Sequence, residues 1–423
     1  MVDIAPRQKP GRQGDGRRRS GLADWFHAPT TSYYLIIGST VALTVFGLVM
    51  VLSSSSVDSY DGGQGSSYSV FDRQAIFAAV GVVLMIVASH VPLSVWKKMS
   101  WGLIALAVVA QLLPFVPGVG ISENGNNAWI HIGSFTAQPS EAGKVALVLW
   151  LGVVLGAKHK LLGQWRHVFI PVVPVVAILL GLILLSGDLG TGMIFMVLVL
   201  GALYAAGVPL RMFGVAGIGL AIIAGAMLVS SPNRMARATN WLSGGGTSDP
   251  LGGSYQSTHG LWALASGGFW GEGLGASRQK WDYLPEAHND FIYAIIGEEL
   301  GLPGTIGLLI VFALLAIGLL RVIKRTPDMC VKIVTSGVFA WILGQAILNI
   351  AVVLGLLPVV GVPLPLVSSG GSALLTTLLG LGIVLSFARN EPGAAAAMSR
   401  RNKRIRGSLA VLARPRTNGR NGR

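Results

Sequence analysis

"FIYAIIGEELGLPGTIGLLIVFALLAIGLL", residues 291–320, is apolar over almost its whole length, and Glu298 and Glu299 are the two charged residues in it. A helix needs about 20 predominantly apolar residues to cross the hydrocarbon core of a bilayer. The stretch therefore predicts a transmembrane helix. Its two carboxylates are unexpected in a membrane helix, and their partners or function must be explained.

The composition places the rest of the chain in the same class. Of 423 residues, 52% are hydrophobic and 12% are charged, whereas soluble domains carry about 25% charged residues. Membrane barrels read as alternating segments of about ten residues, which this chain lacks, so we predict an all-α polytopic membrane protein. We expect about ten transmembrane helices, at 33–52, 75–93, 100–116, 142–157, 168–186, 189–206, 213–230, 291–320, 331–354 and 372–388.

Basic residues decide the predicted orientation. They cluster in both tails and in short loops around Lys97, Lys158, Arg211 and Arg321. Ten helices place all of these segments on one side, which the positive-inside rule identifies as the cytoplasm. The first apolar run is too late and too long for a cleaved signal peptide and is expected to act as an anchor.

Three regions follow from this topology. We predict disordered basic cytoplasmic tails at 1–30 and 391–423, which flank a ten-helix membrane domain at 31–390. The largest extracytoplasmic loop, 231–290, lies between the seventh and eighth helices. Structureless loops longer than about 15 residues are usually functional or disordered, so this loop is expected to carry the active site.

Several function classes lack support. The net charge of +14 is mostly topological, so nucleic-acid binding is not expected. No Cys/His metal spacing, no GxSxG and no P-loop occurs in the sequence. The lone Cys330 says nothing about disulfides, and a metal or nucleophile role for it is not expected.

The end of the large loop concentrates charge. A glycine-rich run at 266–275 permits close approach to a ligand, although a plain flexible loop explains it equally well. Charged residues follow this run, namely Arg278, Lys280, Asp282, Glu286 and Asp290. Pro285 suits the first turn of a helix, which would place Glu286 and Asp290 on one face. Desolvation would raise the pKa of Asp290 at a partly dry interface, which makes it a candidate general base. The alternative is an N-terminal carboxylate favoured by the helix dipole.

Glu298 and Glu299 lie about two helical turns below Asp290. A charge at mid-bilayer costs at least about 2.5–3.5 kcal/mol, which predicts a cationic partner, with Lys144 and Arg73 as candidates. Such a pair would chiefly fix helix packing.

Two shorter motifs lie on the same predicted outer side. "QPSEAGKVAL", at 138–147, can begin a helix with Glu141 in its first turn and Lys144 near the outer face. "GDLGTG", at 187–192, is a tight turn in which Asp188 is either a turn residue or part of a site.

"PVVGVPLPLVSSGGS", at 358–372, contains three prolines followed by Ser368 and Ser369. Irregular backbone at membrane depth is tolerated only where it is buried in protein or lines a cavity. The segment is therefore a candidate re-entrant loop beside a site.

These motifs together resemble the SEDS family of bacterial cell-wall polymerases, the FtsW/RodA/SpoVE proteins. The resemblance rests on several stretches in the family's order and spacing, namely "SSSS" at 53–56, "QPSE..K" at 138–144, "DLGT" at 188–191, "GEGLGAS.QK..YLPEAHNDFI...IGEELG" at 271–301 and "GLLP..G.PLP..S.GGS" at 355–372. The 284–301 stretch is more similar to the division type, FtsW, than to the elongation type, RodA. The chain departs from the family at Asn289, at Ala128 and at Gly187, where the family usually has Thr, Arg and Pro. The change at Ala128 puts in doubt a cation role at that position.

The resemblance implies the SEDS fold and glycosyl transfer from lipid II at the outer face of the cytoplasmic membrane, at the division septum. The implied reaction is a single inverting displacement in which undecaprenyl pyrophosphate leaves. Site residues fall into three groups: catalytic Asp290, Glu286 and Asp282; substrate-binding Lys280, Arg278, Lys144, Arg73, Ser368 and Ser369; and supporting Glu141, Glu298, Glu299 and Asp188. A divalent cation, Mg²⁺ or Mn²⁺, could assist at the pyrophosphate, but the sequence offers no dedicated cage for it.

The implied partners are a class B penicillin-binding protein, which is a transpeptidase, and other divisome proteins. A lipid II flippase is the competing interpretation, because ten helices with intramembrane acids and broken segments also describe a transporter. A scaffold that recruits the transpeptidase is a third interpretation and is compatible with the first.

Overall fold

The computed structural model describes residues 28, 30–59, 67–123, 126–133, 135–229, 235, 239, 241, 255–281 and 283–394. Its helices are α1 (Thr31–Ser59), α2 (Ser69–His90), α3 (Leu93–Leu112), α4 (Pro139–Ala157), α5 (Trp165–Leu185), α6 (Leu189–Ala205), α7 (Leu210–Val229), α8 (Tyr255–Gly267), α9 (Ile292–Arg325), α10 (Met329–Val353) and α11 (Gly371–Arg389). The strands are β1 (Gly120–Glu123), β2 (Asn126–Ile132) and β3 (Phe135–Ala137).

The predicted helical membrane fold is confirmed. Among the described residues, eight helices are long and apolar enough to cross a membrane, and α6 and the first part of α7 are shorter apolar helices. The total of ten stays a prediction. So do the limits of the two tails, because nearly all of the tail residues and most of 230–254 lie outside the described residues.

Helices that are distant in sequence form the core. α11 packs against α2, α10 against α6, and α9 against α1. The short α4 lies at the centre and contacts α3, α10, α6 and α11. Most of its side chains are buried, so polar groups on α4 must find partners inside the protein.

A small sheet lies on the side of the molecule that is predicted to face outward. The three antiparallel strands lie in the order β1–β2–β3, with Ile121 opposite Trp129 and His131 opposite Thr136. β3 ends immediately before α4. No strand is predicted here from the sequence, because strands of three to seven residues are too short to carry a clear alternation.

The structure breaks α9 at Gly301, which has φ 63° and ψ −156°. This conformation favours glycine, and Pro303 follows two residues later. The sequence predicted one long helix over 291–320, and the break is the main difference. Because the helix is interrupted, the amides of Glu272 and Gly273 can donate to the Glu298 and Glu299 carbonyls, at 2.9 and 3.0 Å.

Candidate functional site

Asp290 lies in a turn segment that ends directly before α9. The residue is half-buried, and its Oδ1 atom is buried with no hydrogen-bond partner among the described residues. A Cβ added to Gly361 would lie 3.6 Å from Asp290 Oδ2. The irregular 354–370 segment therefore approaches Asp290 closely.

The predicted helix start at Pro285 is wrong. Residues 283–291 form turns and bends, and α9 begins at Ile292. Glu286 has a positive φ of 59°, and its carbonyl accepts from the amides of Asn289 and Phe291 at 3.1 and 3.2 Å. Glu286 and Asp290 therefore do not share a helical face.

The two acids are nevertheless coupled electrostatically. The pKa of Asp290 is raised to about 7, chiefly by desolvation, and further by the negative charges of Glu286 and Asp188. The charge of His288 opposes this rise. A carboxyl with such a pKa is poised to exchange protons near neutral pH.

Three hydrogen bonds fix the backbone around Asp290. The Asn349 amide donates to the Asp290 carbonyl at 2.7 Å. The Ser368 hydroxyl donates to the Asn289 carbonyl at 2.6 Å, and the Ser369 amide donates to the His288 carbonyl at 3.0 Å. The predicted serines therefore do lie beside Asp290, but these contacts hold the loop.

Asn349 was missed by the sequence analysis. It lies on α10, four residues after Gln345, and both side chains are buried. The signal was present, because two amides at i and i+4 in an apolar helix occupy one face and need partners in the protein interior.

The Glu141–Lys144 pair lies near the N-terminus of α4. Lys144 Nζ lies 2.8 Å from Glu141 Oε1 and 3.3 Å from Gln345 Oε1. The same ammonium lies 4.8 Å from the centre of the Trp341 ring, and the Thr376 hydroxyl donates to Glu141 at 3.1 Å. Lys144 is 1% exposed, so its charge is neutralised inside the protein.

Asp188 caps the N-terminus of α6, where its Oδ1 accepts from the Thr191 amide at 2.9 Å. Gln138 donates to the other carboxylate oxygen. Burial, and then the charge of Glu141, raise the pKa of Asp188, although the bonds from Thr191 oppose the rise. The structure thus gives Asp188 a capping role that also brings negative charge near Asp290.

The hydrogen-bond and ion-pair partners of Glu298 and Glu299 differ from those predicted. Glu299 accepts from Ser53 at 2.6 and 2.8 Å and pairs with Lys280 at 3.3 Å. Glu298 accepts from the Ser277 hydroxyl and from the Arg278 amide. The expected pairing with Lys144 or Arg73 is wrong, because the cation comes from the loop that precedes α9.

The four cations predicted to bind substrate fall into two groups that differ in burial. Lys280 and Lys144 are buried in ion pairs, whereas Arg278 and Arg73 are exposed. The Arg278 side chain is 81% exposed and lies 3.6 Å from Glu272.

Asp282 lies outside the described residues. Among the described residues, no group of three or more His, Cys, Asp or Glu side chains is arranged to hold a metal ion. An assisting divalent cation therefore stays a prediction.

The family comparison agrees with the arrangement of these motifs. The family model described as "Cell cycle protein", FTSW_RODA_SPOVE, matches residues 33–392. The chain belongs to the FtsW/RodA/SpoVE family. A relative from Mycobacterium tuberculosis, named probable peptidoglycan glycosyltransferase FtsW, is 39% identical over 391 residues, which cover 92% of this chain and 74% of the relative. Stage V sporulation protein E of Bacillus subtilis is 36% identical over 361 residues, 85% of this chain and 98% of that protein.

Two solved structures have the same fold as this chain. A chain from a peptidoglycan synthase complex, described as coordinating polymerization and crosslinking, matches with a TM-score of 0.67 and 25% identity, over 84% of this chain and 97% of that chain. The rod shape determining protein RodA of Thermus thermophilus matches with a TM-score of 0.61 and 24% identity, over 85% and 97%. The predicted family is confirmed by the family model and by the two relatives at 39% and 36% identity.

Proposed function

We propose that this protein is a peptidoglycan glycosyltransferase that polymerises lipid II at the outer face of the cytoplasmic membrane, with Asp290 as its general base. One observation carries the proposal, namely a half-buried carboxyl whose Oδ1 has no partner among the described residues. The pKa of this carboxyl, raised by desolvation to about 7, suits proton transfer at neutral pH. Curated relatives are named as peptidoglycan glycosyltransferases.

The proposed reaction is an inverting displacement. Asp290 accepts the proton of the acceptor sugar's 4-hydroxyl as that oxygen attacks the anomeric carbon of the donor. The bond to the donor's pyrophosphate breaks, and undecaprenyl pyrophosphate leaves with the electron pair. General base catalysis of this kind contributes about 10²–10⁴-fold to a rate.

The leaving group gathers negative charge, which a cation can stabilise. We assign this role to the exposed Arg278 and Arg73. We do not assign stabilisation of the leaving group to Lys280 or Lys144, because each ammonium already pairs with a buried carboxylate. These two lysines instead hold α4, α9 and the outer loop in place.

An apolar groove supports a lipid-linked substrate. The groove has a volume of ≈ 560 Å³ and is lined along α1 by residues that include Val41, Val45 and Val49, and at its side by Leu274 and Leu300. Leu274 and Arg278 belong to one loop. We therefore assign the groove to the isoprenoid chain, and the exposed Arg278 of the adjoining loop to its phosphates.

The finer biological assignment is also part of the proposal. We place the enzyme at the division septum with a class B penicillin-binding protein and other divisome proteins. The FtsW-named relatives and the fold shared with a synthase-complex chain support this assignment.

The test is polymerisation of labelled lipid II by purified protein together with its transpeptidase partner. We expect glycan strands and undecaprenyl pyrophosphate from the wild type and from Asp328→Asn, and formation of both products at a rate at least about 100-fold lower from Asp290→Asn. Asp328 is a suitable control because it caps the opposite end of α10, and asparagine caps a helix equally well. Passage of lipid II across vesicle membranes without any polymer would contradict the proposal and favour the flippase.

A further inference from the structure

α10 presents a short polar ladder towards the irregular 354–370 segment. Gln345 Nε2 donates to the Pro363 carbonyl at 2.9 Å, and Asn349 Nδ2 donates to the Val362 carbonyl at 2.7 Å. Both side chains are 2% exposed. Each bond therefore ties otherwise irregular backbone to a rigid helix.

Asn349 differs from Gln345 in having a second backbone partner. Its single amide nitrogen also donates to the Asp290 carbonyl at 2.7 Å. One NH₂ group supplies two protons, so Asn349 bridges Asp290 and Val362. Its Oδ1 atom is buried with no partner among the described residues. The opposite amide orientation would place that oxygen against two carbonyls, so the donor orientation is the favourable one.

We infer that Asn349 is a positioning residue for the reaction, because it fixes the peptide that carries the Asp290 carboxyl against the Val362 backbone. This inference rests on the proposed role of Asp290 as general base. Ser368 and Ser369 hold the two preceding carbonyls. Asn349 acts on Asp290 itself, and a rotated peptide there would displace the carboxyl from the acceptor hydroxyl.

The two hydrogen bonds from Asn349, which we call the Asn349 clamp, also maintain the surroundings of the Asp290 carboxyl. Glu286, His288 and Asp188 are the charged or titratable groups that act on Asp290, and none of them lies on α10. Loss of the clamp would admit water while these charges stay in place. The desolvation that raises the pKa of Asp290 would then weaken, and the pKa would fall.

The experiment compares Asn349→Leu and Asn349→Ser with the wild type at equal amounts of folded protein. Leucine removes both donors and keeps the branching at Cγ, although it is larger than asparagine, and serine is the smaller substitution if leucine prevents folding. Gln111→Leu is the matched control, because Gln111 is also buried and its Nε2 has no partner among the described residues. A misplacement of about 1 Å can cost about 10²-fold, so we expect kcat to fall about 10–100-fold, with KM within about threefold of the wild type. The acid limb of the pH–rate profile should move to lower pH, and Gln111→Leu should do neither.

A double variant separates this inference from the proposed function. Adding Asn349→Leu to Asp290→Asn should cause no further loss, because the two residues act through one step. If Asp290→Asn is inactive but both Asn349 variants keep the wild-type kcat and pH profile, the positioning role is overturned alone. If Asp290→Asn keeps full activity, the proposed base is overturned, and the inference falls with it.

Discussion

At the scale of the residue, hydrogen-bond donors distinguish Asp290 from the other buried acids. Glu141 accepts from Lys144 and Thr376, and Glu299 accepts from Ser53 and Lys280. Such bonds stabilise an ionised carboxylate. Asp290 Oδ1 has no donor among the described residues, and desolvation, together with the charges of Glu286 and Asp188, raises the pKa of this carboxyl.

The raised pKa predicts how activity depends on pH. A general base must be ionised, so the polymerisation rate should rise with pH and reach half its plateau near the pKa of Asp290, about 7. Glu286→Gln removes a negative charge that raises this pKa, so the midpoint should move to lower pH. Initial rates measured on both sides of neutrality test this prediction. A midpoint that stays unchanged in Glu286→Gln would contradict the electrostatic coupling.

At the scale of the element, the break in α9 at Gly301 leaves the helix free to bind the loop that precedes it. The freed carbonyls of Glu298 and Glu299 accept from loop amides, and their carboxylates accept from Ser277, Ser53 and Lys280. Backbone and side chains of α9 thus hold the loop residues 272–280, and Ser53 adds a contact from α1. Because this loop leads to Asp290, the junction should support the geometry of the site.

Gly301→Ala should destabilise this junction. The added Cβ would lie 2.4 Å from the Gly271 amide nitrogen and 2.5 Å from the Phe269 carbonyl oxygen. In addition, a φ of 63° with a ψ of −156° is a backbone conformation that is open almost only to glycine and costs other residues about 1–3 kcal/mol. The control Gly307→Ala lies on the same helix with no atom within 4 Å of its Cβ, and should be neutral or stabilising. Thermal unfolding in detergent, followed by tryptophan fluorescence, should give a lower Tm for Gly301→Ala alone. Equal Tm values for the two variants would contradict the strained junction.

The Lys280–Glu299 pair should be strongly coupled. Its side chains are 4% and 0% exposed, and removal of one partner from a buried pair costs about 3–5 kcal/mol because a buried charge is left behind. Glu299→Gln and Lys280→Met should each lower stability by about that amount, and the double variant should recover much of the loss. A double-mutant cycle of unfolding free energies in detergent measures the coupling. Additive losses would mean that the pair does not interact as described.

At the scale of the whole molecule, hydropathy predicted the fold well. The ends of the ten predicted helices lie within seven residues of the observed ends, because each apolar run must satisfy its own backbone in lipid. The site was only partly predictable. The sequence placed Asp290 directly before α9, as observed. Which cation pairs with Glu299, and which groups bind Asn349, depends on tertiary packing. Local spacing could not reveal either contact, since Ser53 and Glu299 are 246 residues apart.

The predicted topology can be tested through the single cysteine. Cys330 is buried, and Cys330→Ala gives a background for introduced cysteines. We expect Tyr68→Cys, at an exposed position before α2, to react with a membrane-impermeant maleimide in intact cells. Ser20→Cys and Ser408→Cys, in the two tails, should react only after permeabilisation. If one tail but not the other is labelled in intact cells, the number of spans must be odd, and ten would be wrong.

The central claim is that Asp290 is the general base, and the rate of lipid II polymerisation by Asp290→Asn tests it most directly. Asparagine keeps the shape of the side chain but cannot accept the proton. At equal amounts of folded protein with its partner bound, the rate should fall by at least about 100-fold, while Glu286→Gln at its own optimal pH should stay within about tenfold of the wild type. Polymerisation by Asp290→Asn at the wild-type rate would contradict the account.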